Sequence, residues 1–278
     1  MFKIGTHTFD TEHHCYIMGI LNVTPDSFSD GGKWNDLSRA LSHTEEMIRD
    51  GASIIDIGGE STRPGHVPVS IEEEIERVVP CIEAVKARFD IPVSIDTYKS
   101  QVAEAALAAG ADLVNDIWGL KHDPDMAGVI ARYRAPCCLT HNRSEAVYTD
   151  FLPDYLKDIE EMLALADAAK IPREQILLDP GIGFGKTYEQ NLTAIRRLDV
   201  LQAFGCPILL AASRKSVVGL TLDLPSDQRV EGTLATTVMG IERGASFIRV
   251  HDVRENYRAI CMTQSILQER KISYETKV

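Results

Sequence analysis

Eight short runs of apolar residues recur along the chain, and each has the length of one buried strand. The runs cover residues 16–23, 53–57, 92–95, 112–117, 135–139, 175–178, 207–211 and 246–250. Helical patterns separate them, such as the apolar stripe formed by Ile71, Ile75, Val78, Val79, Ile82 and Val85. The acidic residues beside this stripe, Glu72, Glu73, Glu74 and Glu76, are expected to form a solvated helix face. Strands that alternate with helices in this way are typical of a parallel sheet covered on both faces.

The alternation predicts an α/β fold, a (β/α)8 TIM barrel that occupies residues 1–278 as a single domain. Its 278 residues suit one barrel, because such barrels of about 250 residues routinely fold as one unit. An open doubly wound sheet is the alternative, since periodicity does not report whether a sheet closes.

Composition limits the partners and the compartment. The net charge of -12 disfavours general binding to nucleic acid or to anionic membranes. The first residues lack the apolar run of a signal peptide, and no stretch has the length and apolarity of a membrane helix. The six cysteines show no CxxC pair and are interpreted as reduced thiols. We therefore expect a cytoplasmic protein with no nucleic-acid or membrane partner.

Polar residues end nearly every apolar run, where a barrel places its active site. They are Asn22, Asp56 with Glu60, Asp96, Asn115 with Asp116, His141 with Asn142, Asp179, Ser213 with Lys215, and Arg249 with His251. Carboxylates and amides dominate the earlier strands and cations the last two. Carboxylates accept paired hydrogen bonds from an amino-pyrimidine edge, whereas cations suit phosphate. The pattern predicts a ligand with a heterocycle and a phosphate or pyrophosphate.

Several long motifs then carry a specific resemblance. The first loop reads GILNVTPDSFSDGG (residues 19–32) and the second DIGGESTRPG (residues 56–65). They are followed in order by SIDTYKS, LVNDIWG, LLDPGIGFGK, SRKS and IRVHDV. Together these segments resemble the dihydropteroate synthase family, and the resemblance spans nearly the whole chain. The loop GIGFGKT fits neither a Walker motif nor a dinucleotide-binding pattern, and the resemblance assigns it to pterin binding.

The resemblance implies an enzyme that joins p-aminobenzoate to 6-hydroxymethyl-7,8-dihydropterin pyrophosphate by a dissociative displacement. It implies that the pterin is held by Asp96, Asn115, Asp179 and Lys215. Pyrophosphate would be held by Asn22, Arg63, Arg249 and His251, and the catalytic residues would be Asn22, Arg63, Lys215, Arg249 and His251. Asn22 would also contribute to a Mg²⁺ site, which is chemically reasonable because Mg²⁺ prefers oxygen ligands.

The two loops would form the p-aminobenzoate pocket through Phe28, Thr62, Pro64 and Ser216, and would order after the pterin substrate binds. A homodimer is expected from the family. Asp56 and Asp116 are assigned structural roles. Thr140 departs from the methionine that the family often carries, which bears on the packing under the pterin.

Two other functions are compatible with part of this pattern. Related barrels transfer the methyl group of methyltetrahydrofolate, but they do not need the two p-aminobenzoate loops that this chain carries. A noncatalytic pterin-binding protein is disfavoured by the intact set of Asn22, Arg63, Lys215, Arg249 and His251.

Overall fold

Eight parallel strands close into a barrel, as the alternation predicts. The structure, a computed structural model, describes residues 1–24, 32–60 and 68–272, and no side chain of residues 32–36. The barrel strands are β3 (Tyr16–Asn22), β4 (Ala52–Gly58), β5 (Val93–Asp96), β6 (Leu113–Asp116), β7 (Cys137–Thr140), β8 (Ile176–Asp179), β9 (Ile208–Leu210) and β10 (Ala245–Val250). The last strand pairs in parallel with both β9 and β3, so the sheet has no open edge and the doubly wound alternative is wrong.

Helices cover the outside of the barrel. They are α1 (Gly32–Arg49), α2 (Ile71–Arg88), α3 (Ser100–Ala108), α4 (Met126–Tyr133), α5 (Phe151–Ala168), α6 (Tyr188–Arg196), α7 (Ser216–Leu222), α8 (Val230–Glu242) and α9 (Val253–Leu267). Among the described residues, no helix is both long and apolar enough to cross a membrane.

Strand positions agree with the sequence prediction, although the ends shift by one or two residues. The runs at 92–95 and 207–211 each begin with a proline that lies just before the strand. Proline lacks the N–H that a central strand needs for its ladder, so the strands begin one residue later.

A short hairpin closes the bottom of the barrel, and the strand pattern did not predict it. Its strands β1 (Phe2–Ile4) and β2 (His7–Phe9) pair antiparallel. Phe2 and Phe9 pack edge-on against Phe247 of β10, with ring centroids 6.1 and 5.5 Å apart. Phe2, Ile4 and Phe9 belong to the same buried cluster as the lower inward residues of the barrel. The hairpin therefore excludes water from the end of the barrel opposite the strand C-termini.

The acidic face predicted for α2 is wrong at one position. Glu74 is 1% exposed, and its carboxylate accepts a hydrogen bond from Lys99 Nζ at 2.7 Å. Lys99 also donates to Glu60 Oε2 at 2.5 Å and to the Val69 carbonyl at 2.6 Å. A buried carboxylate persists when a cation and hydrogen bonds compensate for its lost hydration, and Lys99 supplies both. The helical pattern could not reveal this partner, because Lys99 lies beyond the next strand.

Candidate active site

The barrel interior changes from apolar to polar halfway along the strands. Side chains in a strand alternate between the two faces, so inward positions recur every second residue. Ile54, Leu113 and Leu177 are inward members of the lower apolar cluster. Two residues further along each strand stand Asp56, Asn115 and Asp179, all buried. The upper half of the barrel is therefore lined with hydrogen-bonding groups.

Arg249 lies at the centre of this lining. Its Nε donates to Asp56 Oδ2 at 2.6 Å, and a terminal nitrogen donates to Asp96 Oδ2 at 2.5 Å. Asn115 Nδ2 also donates to Asp56 Oδ2, at 3.1 Å. Burial alone would lower the pKa of Arg249, but the Asp56 and Asp96 carboxylates raise it above its usual range. The guanidinium therefore stays charged and links three strands that are far apart in the sequence.

Three acceptor atoms around this ion pair have no partner among the described residues. They are Asp56 Oδ1, Asp96 Oδ1 and Asn115 Oδ1, and each is shielded from solvent. Because Asn115 donates its amide N–H to Asp56, its oxygen is the atom left over. An unsatisfied buried acceptor costs about 1–3 kcal/mol, so three together indicate a ligand or water that brings N–H or O–H groups. Two hydroxyl oxygens nearby, Ser94 Oγ and Thr140 Oγ1, are likewise buried without a partner in this part of the chain.

Asp96 is poised to titrate near neutral pH. Its burial raises the pKa to about 7, which the Arg249 charge opposes and the Asp56 carboxylate reinforces.

Lys215 stands opposite the carboxylates, directly before α7. Its Nζ donates to the Ile182 carbonyl at 2.5 Å and lies 4.5 Å from the centre of the Phe184 ring. Burial lowers the pKa of Lys215 to about 8, and the charge of Asp179 opposes that shift. Asp179 Oδ1 accepts from the Gly181 N–H at 2.8 Å. The pterin half expected from the resemblance, Asp96, Asn115, Asp179 and Lys215, is therefore brought together in one pocket.

Only some of the residues predicted to bind pyrophosphate and p-aminobenzoate lie in the described parts of the chain. Asn22 and Asp96 lie on either side of Gly58, since a Cβ there would meet Asp96 Oδ2 at 3.6 Å and Asn22 Oδ1 at 3.8 Å. His251 follows β10, and its Nδ1 is 3.0 Å from Ser213 Oγ. Ser216 is exposed at the first residue of α7. Four predicted residues lie outside the described residues: Phe28, Thr62, Arg63 and Pro64.

The described residues offer little protein coordination for a metal ion. No group of three or more His, Cys, Asp and Glu side chains in these parts of the chain could hold one. Asn22 contributes an amide oxygen at the upper end of β3, beside Asp96. Mg²⁺ usually keeps several waters and binds through few protein groups plus substrate phosphates, so this donor set fits a Mg²⁺ carried in by pyrophosphate.

Sequence reasoning assigned Asp56 and Asp116 the same structural role, and the fold separates them. Asp116 points outward and accepts from the Trp118 and Leu120 N–H groups at 2.9 and 2.7 Å, which is a loop-stabilising role. Asp56 points inward, holds Arg249 and presents Oδ1 to the pocket. Strand parity could have distinguished them, because Asp56 has the parity of the inward Ile54 whereas Asp116 has that of the outward Val114.

Comparison with known proteins identifies the family that uses such a pocket. The model of the pterin-binding enzymes matches residues 18–251. The dihydropteroate synthase of Clostridium beijerinckii is 59% identical over 267 residues, which cover 96% of this chain and 99% of the relative. The chain belongs to the dihydropteroate synthase family.

Solved structures of this family have the same fold. The dihydropteroate synthase of Clostridium difficile, crystallised in the presence of pteroic acid, aligns with a TM-score of 0.91 at 50% identity, over 93% of this chain and 99% of its own. The Yersinia pestis enzyme in a sulfonamide drug complex aligns with a TM-score of 0.90 at 41% identity, over 96% and 100%. The family resemblance predicted from the motifs is confirmed.

The central ion pair predicts a large stability difference between two otherwise similar substitutions. Asp56→Asn leaves Arg249 with one carboxylate in a buried site, and we expect the free energy of unfolding to fall by roughly 3 kcal/mol. Asp167→Asn breaks an exposed pair with Arg173 and should cost about 1 kcal/mol or less. Urea unfolding of both variants measures the difference, and equal losses would contradict a central role for Asp56.

Proposed function

We propose that this protein joins p-aminobenzoate to 6-hydroxymethyl-7,8-dihydropterin pyrophosphate, giving 7,8-dihydropteroate and pyrophosphate in folate biosynthesis. The observation that carries the proposal is the group of buried acceptors without partners, Asp56 Oδ1, Asp96 Oδ1 and Asn115 Oδ1. A pterin presents an amino group and a ring N–H along one edge, and these donors match carboxylate and amide oxygens. The membership of the family supports the same assignment.

Hydrogen-bond acceptors and a hydrogen-bond donor together hold the pterin ring. Asp96 and Asn115 accept from the donor edge, and Asp179 lies near Lys215 at the end of β8. Lys215 donates one N–H to the Ile182 carbonyl and has further N–H groups to donate to the ligand.

The chemical step needs charge stabilisation more than proton transfer. The bond between the methylene carbon and the pyrophosphate oxygen breaks, and the electron-rich dihydropterin delocalises the positive charge left on carbon. The amine nitrogen of p-aminobenzoate then forms the new bond and loses a proton. Preorganised cations near the leaving group are typically worth about 3–4 kcal/mol of barrier. Arg249 would contribute to this stabilisation through the guanidinium N–H groups that Asp56 and Asp96 do not occupy, from a position that these carboxylates fix.

Mg²⁺ is proposed as the cofactor, held by Asn22 and by pyrophosphate oxygens, where it would supply additional charge to the leaving group. His251 and Arg63 complete the pyrophosphate side in this proposal, and Phe28, Thr62, Pro64 and Ser216 the p-aminobenzoate side.

The direct test is turnover by the purified protein. With Mg²⁺, pterin pyrophosphate and p-aminobenzoate, we expect one dihydropteroate for each pyrophosphate released, and competition between a sulfonamide and p-aminobenzoate. A boiled sample and a reaction without p-aminobenzoate serve as controls. Tight pteroic acid binding without any product would instead support the noncatalytic alternative, and methyl transfer from methyltetrahydrofolate would support the methyltransferase.

The pKa shifts predict a bell-shaped pH dependence of kcat/KM for the pterin substrate. Activity should fall below about pH 7, where Asp96 gains a proton, and above about pH 8, where Lys215 loses one. Lys215→Arg keeps a positive charge at all of these pH values, so it should remove the alkaline fall and leave the acidic fall in place. An alkaline fall that is unchanged in this variant would rule out Lys215 as its source.

A homodimer is proposed with α8 and α9 at its interface. Large apolar side chains lie exposed on these helices, among them Val238, Met262 and Ile266. Met262 and Ile266 are four residues apart and share one face of α9. An apolar face of this kind is typical of an interface between subunits.

Sedimentation can test this interface. Met262→Glu combined with Ile266→Glu should shift the protein toward monomer, since two charges would be buried on association. Leu165→Glu, at a comparably exposed position on α5, should leave the sedimentation unchanged. A wild-type monomer at micromolar concentration would refute the proposal.

The cytoplasm is proposed as the compartment. All six cysteines are free and five are buried, which suits a reducing environment.

A further inference from the structure

A cluster of charged residues lies at the loop after β8, and none of its members has an individual role in the set that the resemblance implies. Lys186 Nζ has three close acceptors: His141 Nδ1 at 2.8 Å, the Gly181 carbonyl at 2.9 Å and the Phe184 carbonyl at 3.0 Å. The His141 carbonyl is a fourth, at 3.4 Å, and burial lowers the pKa of Lys186 to about 7. The Gly181 and Phe184 carbonyls belong to the loop that follows β8.

The rest of the cluster fixes the orientation of His141. Arg143 donates to both oxygens of Asp158, with Nε 2.5 Å from Oδ2 and Nη2 3.0 Å from Oδ1. Burial would raise the pKa of Asp158, but hydrogen bonds from His141 and Arg143 hold it below its usual range. Asp158 is therefore a carboxylate that accepts from His141 Nε2 at 2.8 Å.

The hydrogen bond to Asp158 determines which ring nitrogen of His141 accepts from Lys186. Burial lowers the pKa of His141 to about 4, so the ring carries one proton at neutral pH. That proton sits on Nε2, toward Asp158, and the lone pair of Nδ1 accepts from Lys186. Lys186 thus donates to His141 and to the loop carbonyls, while His141 and Arg143 both donate to Asp158.

The loop also lies directly against the backbone of the His141 segment. A Cβ at Gly181 would lie 1.8 Å from the His141 carbonyl oxygen, and one at Gly185 would lie 2.4 Å from the Arg143 carbonyl oxygen. Both glycines have positive φ, +69° and +53°, which other residues rarely adopt. The loop can therefore approach this closely only with glycine at both positions, and Lys186 fastens it there.

Two groups of the same loop contact Lys215. The Ile182 carbonyl accepts from Lys215 Nζ, and the Phe184 ring lies beneath the same ammonium. We propose that Lys186 is a positioning residue, which holds the loop on the His141 segment so that Ile182 and Phe184 place Lys215 over the pterin. This inference deepens the proposed function, and Lys186 itself contacts neither substrate.

The first test replaces the ammonium with an apolar chain of similar length. Lys186→Met should lower kcat/KM for the pterin substrate by about 10- to 100-fold, because small misplacements of a binding group are costly. The loss should be mainly in KM for the pterin substrate, with KM for p-aminobenzoate changed by less. Lys121→Met is the matched control, since Lys121 Nζ lies 3.9 Å from Asp158 on its exposed side and is not bonded to the loop carbonyls. A folded Lys186→Met protein with wild-type kinetics would overturn the proposal.

A double-mutant cycle separates positioning from a general loss of structure. Pteroic acid affinity is measured for Lys186→Met, for Lys215→Met and for the two combined. If Lys186 acts through Lys215, the combined variant should bind as weakly as Lys215→Met alone. Losses that multiply would show that Lys186 acts by another route and would overturn the proposal.

If Lys186→Met does not fold, a less disruptive variant tests the same proposal. Asp158→Asn weakens the orientation of His141 and should lower pteroic acid affinity several-fold in the Lys215 background but not in the Lys215→Met background. An equal loss in both backgrounds would again contradict the proposal. Wild-type protein that neither binds pteroic acid nor makes product would refute the proposed function instead, so the two failures are distinguishable.

Discussion

The ion pair between Arg249 and the carboxylates of Asp56 and Asp96 is the interaction on which the pocket depends. A barrel interior is normally a packed apolar core, and a charge placed there must be compensated. Here one guanidinium joins β10 to β4 and β5, so the pair holds three strands in register with their polar ends at one height. The second oxygens of the same carboxylates are buried without a partner among the described residues, so a ligand that brings N–H groups could satisfy them.

This arrangement explains why the lower half of the barrel must be so apolar. The carboxylates and Arg249 interact strongly only where water is excluded. The N-terminal hairpin supplies that exclusion from below, since Phe2, Ile4 and Phe9 seal the end opposite the pocket. Apolar packing thus lies at the end of the barrel that the hairpin covers, and the charged groups lie at the end where the strands have their C-termini.

Besides the ion pair, the loop after β8 also positions a charged group near the pocket. It presents Ile182 and Phe184 to Lys215 and is tied down by Lys186. The two lysines differ in task, although burial lowers the pKa of both. Lys215 faces the pocket and has its pKa lowered to about 8, so it can give up a proton near physiological pH. Burial lowers the pKa of Lys186 to about 7, and its Nζ is bound to the His141 ring and to the Gly181 and Phe184 carbonyls.

The sequence by itself determined the eight-unit alternation, the ends at which polar residues collect, and a family resemblance precise enough to name the substrates. Those properties are local, because apolar runs, helical stripes and contiguous motifs are read within a few residues. Which strand-end residue faces inward was decided by the register of the closed barrel, and so Asp56 and Asp116 received the same interpretation before the fold separated them. The partners of Glu74, Arg249 and Lys186 lie as many as 193 residues away along the chain, as Asp56 does from Arg249. When the partner of a charged residue lies on a distant segment, no local sequence pattern identifies that partner. Only the tertiary structure could therefore show which groups compensate each charge.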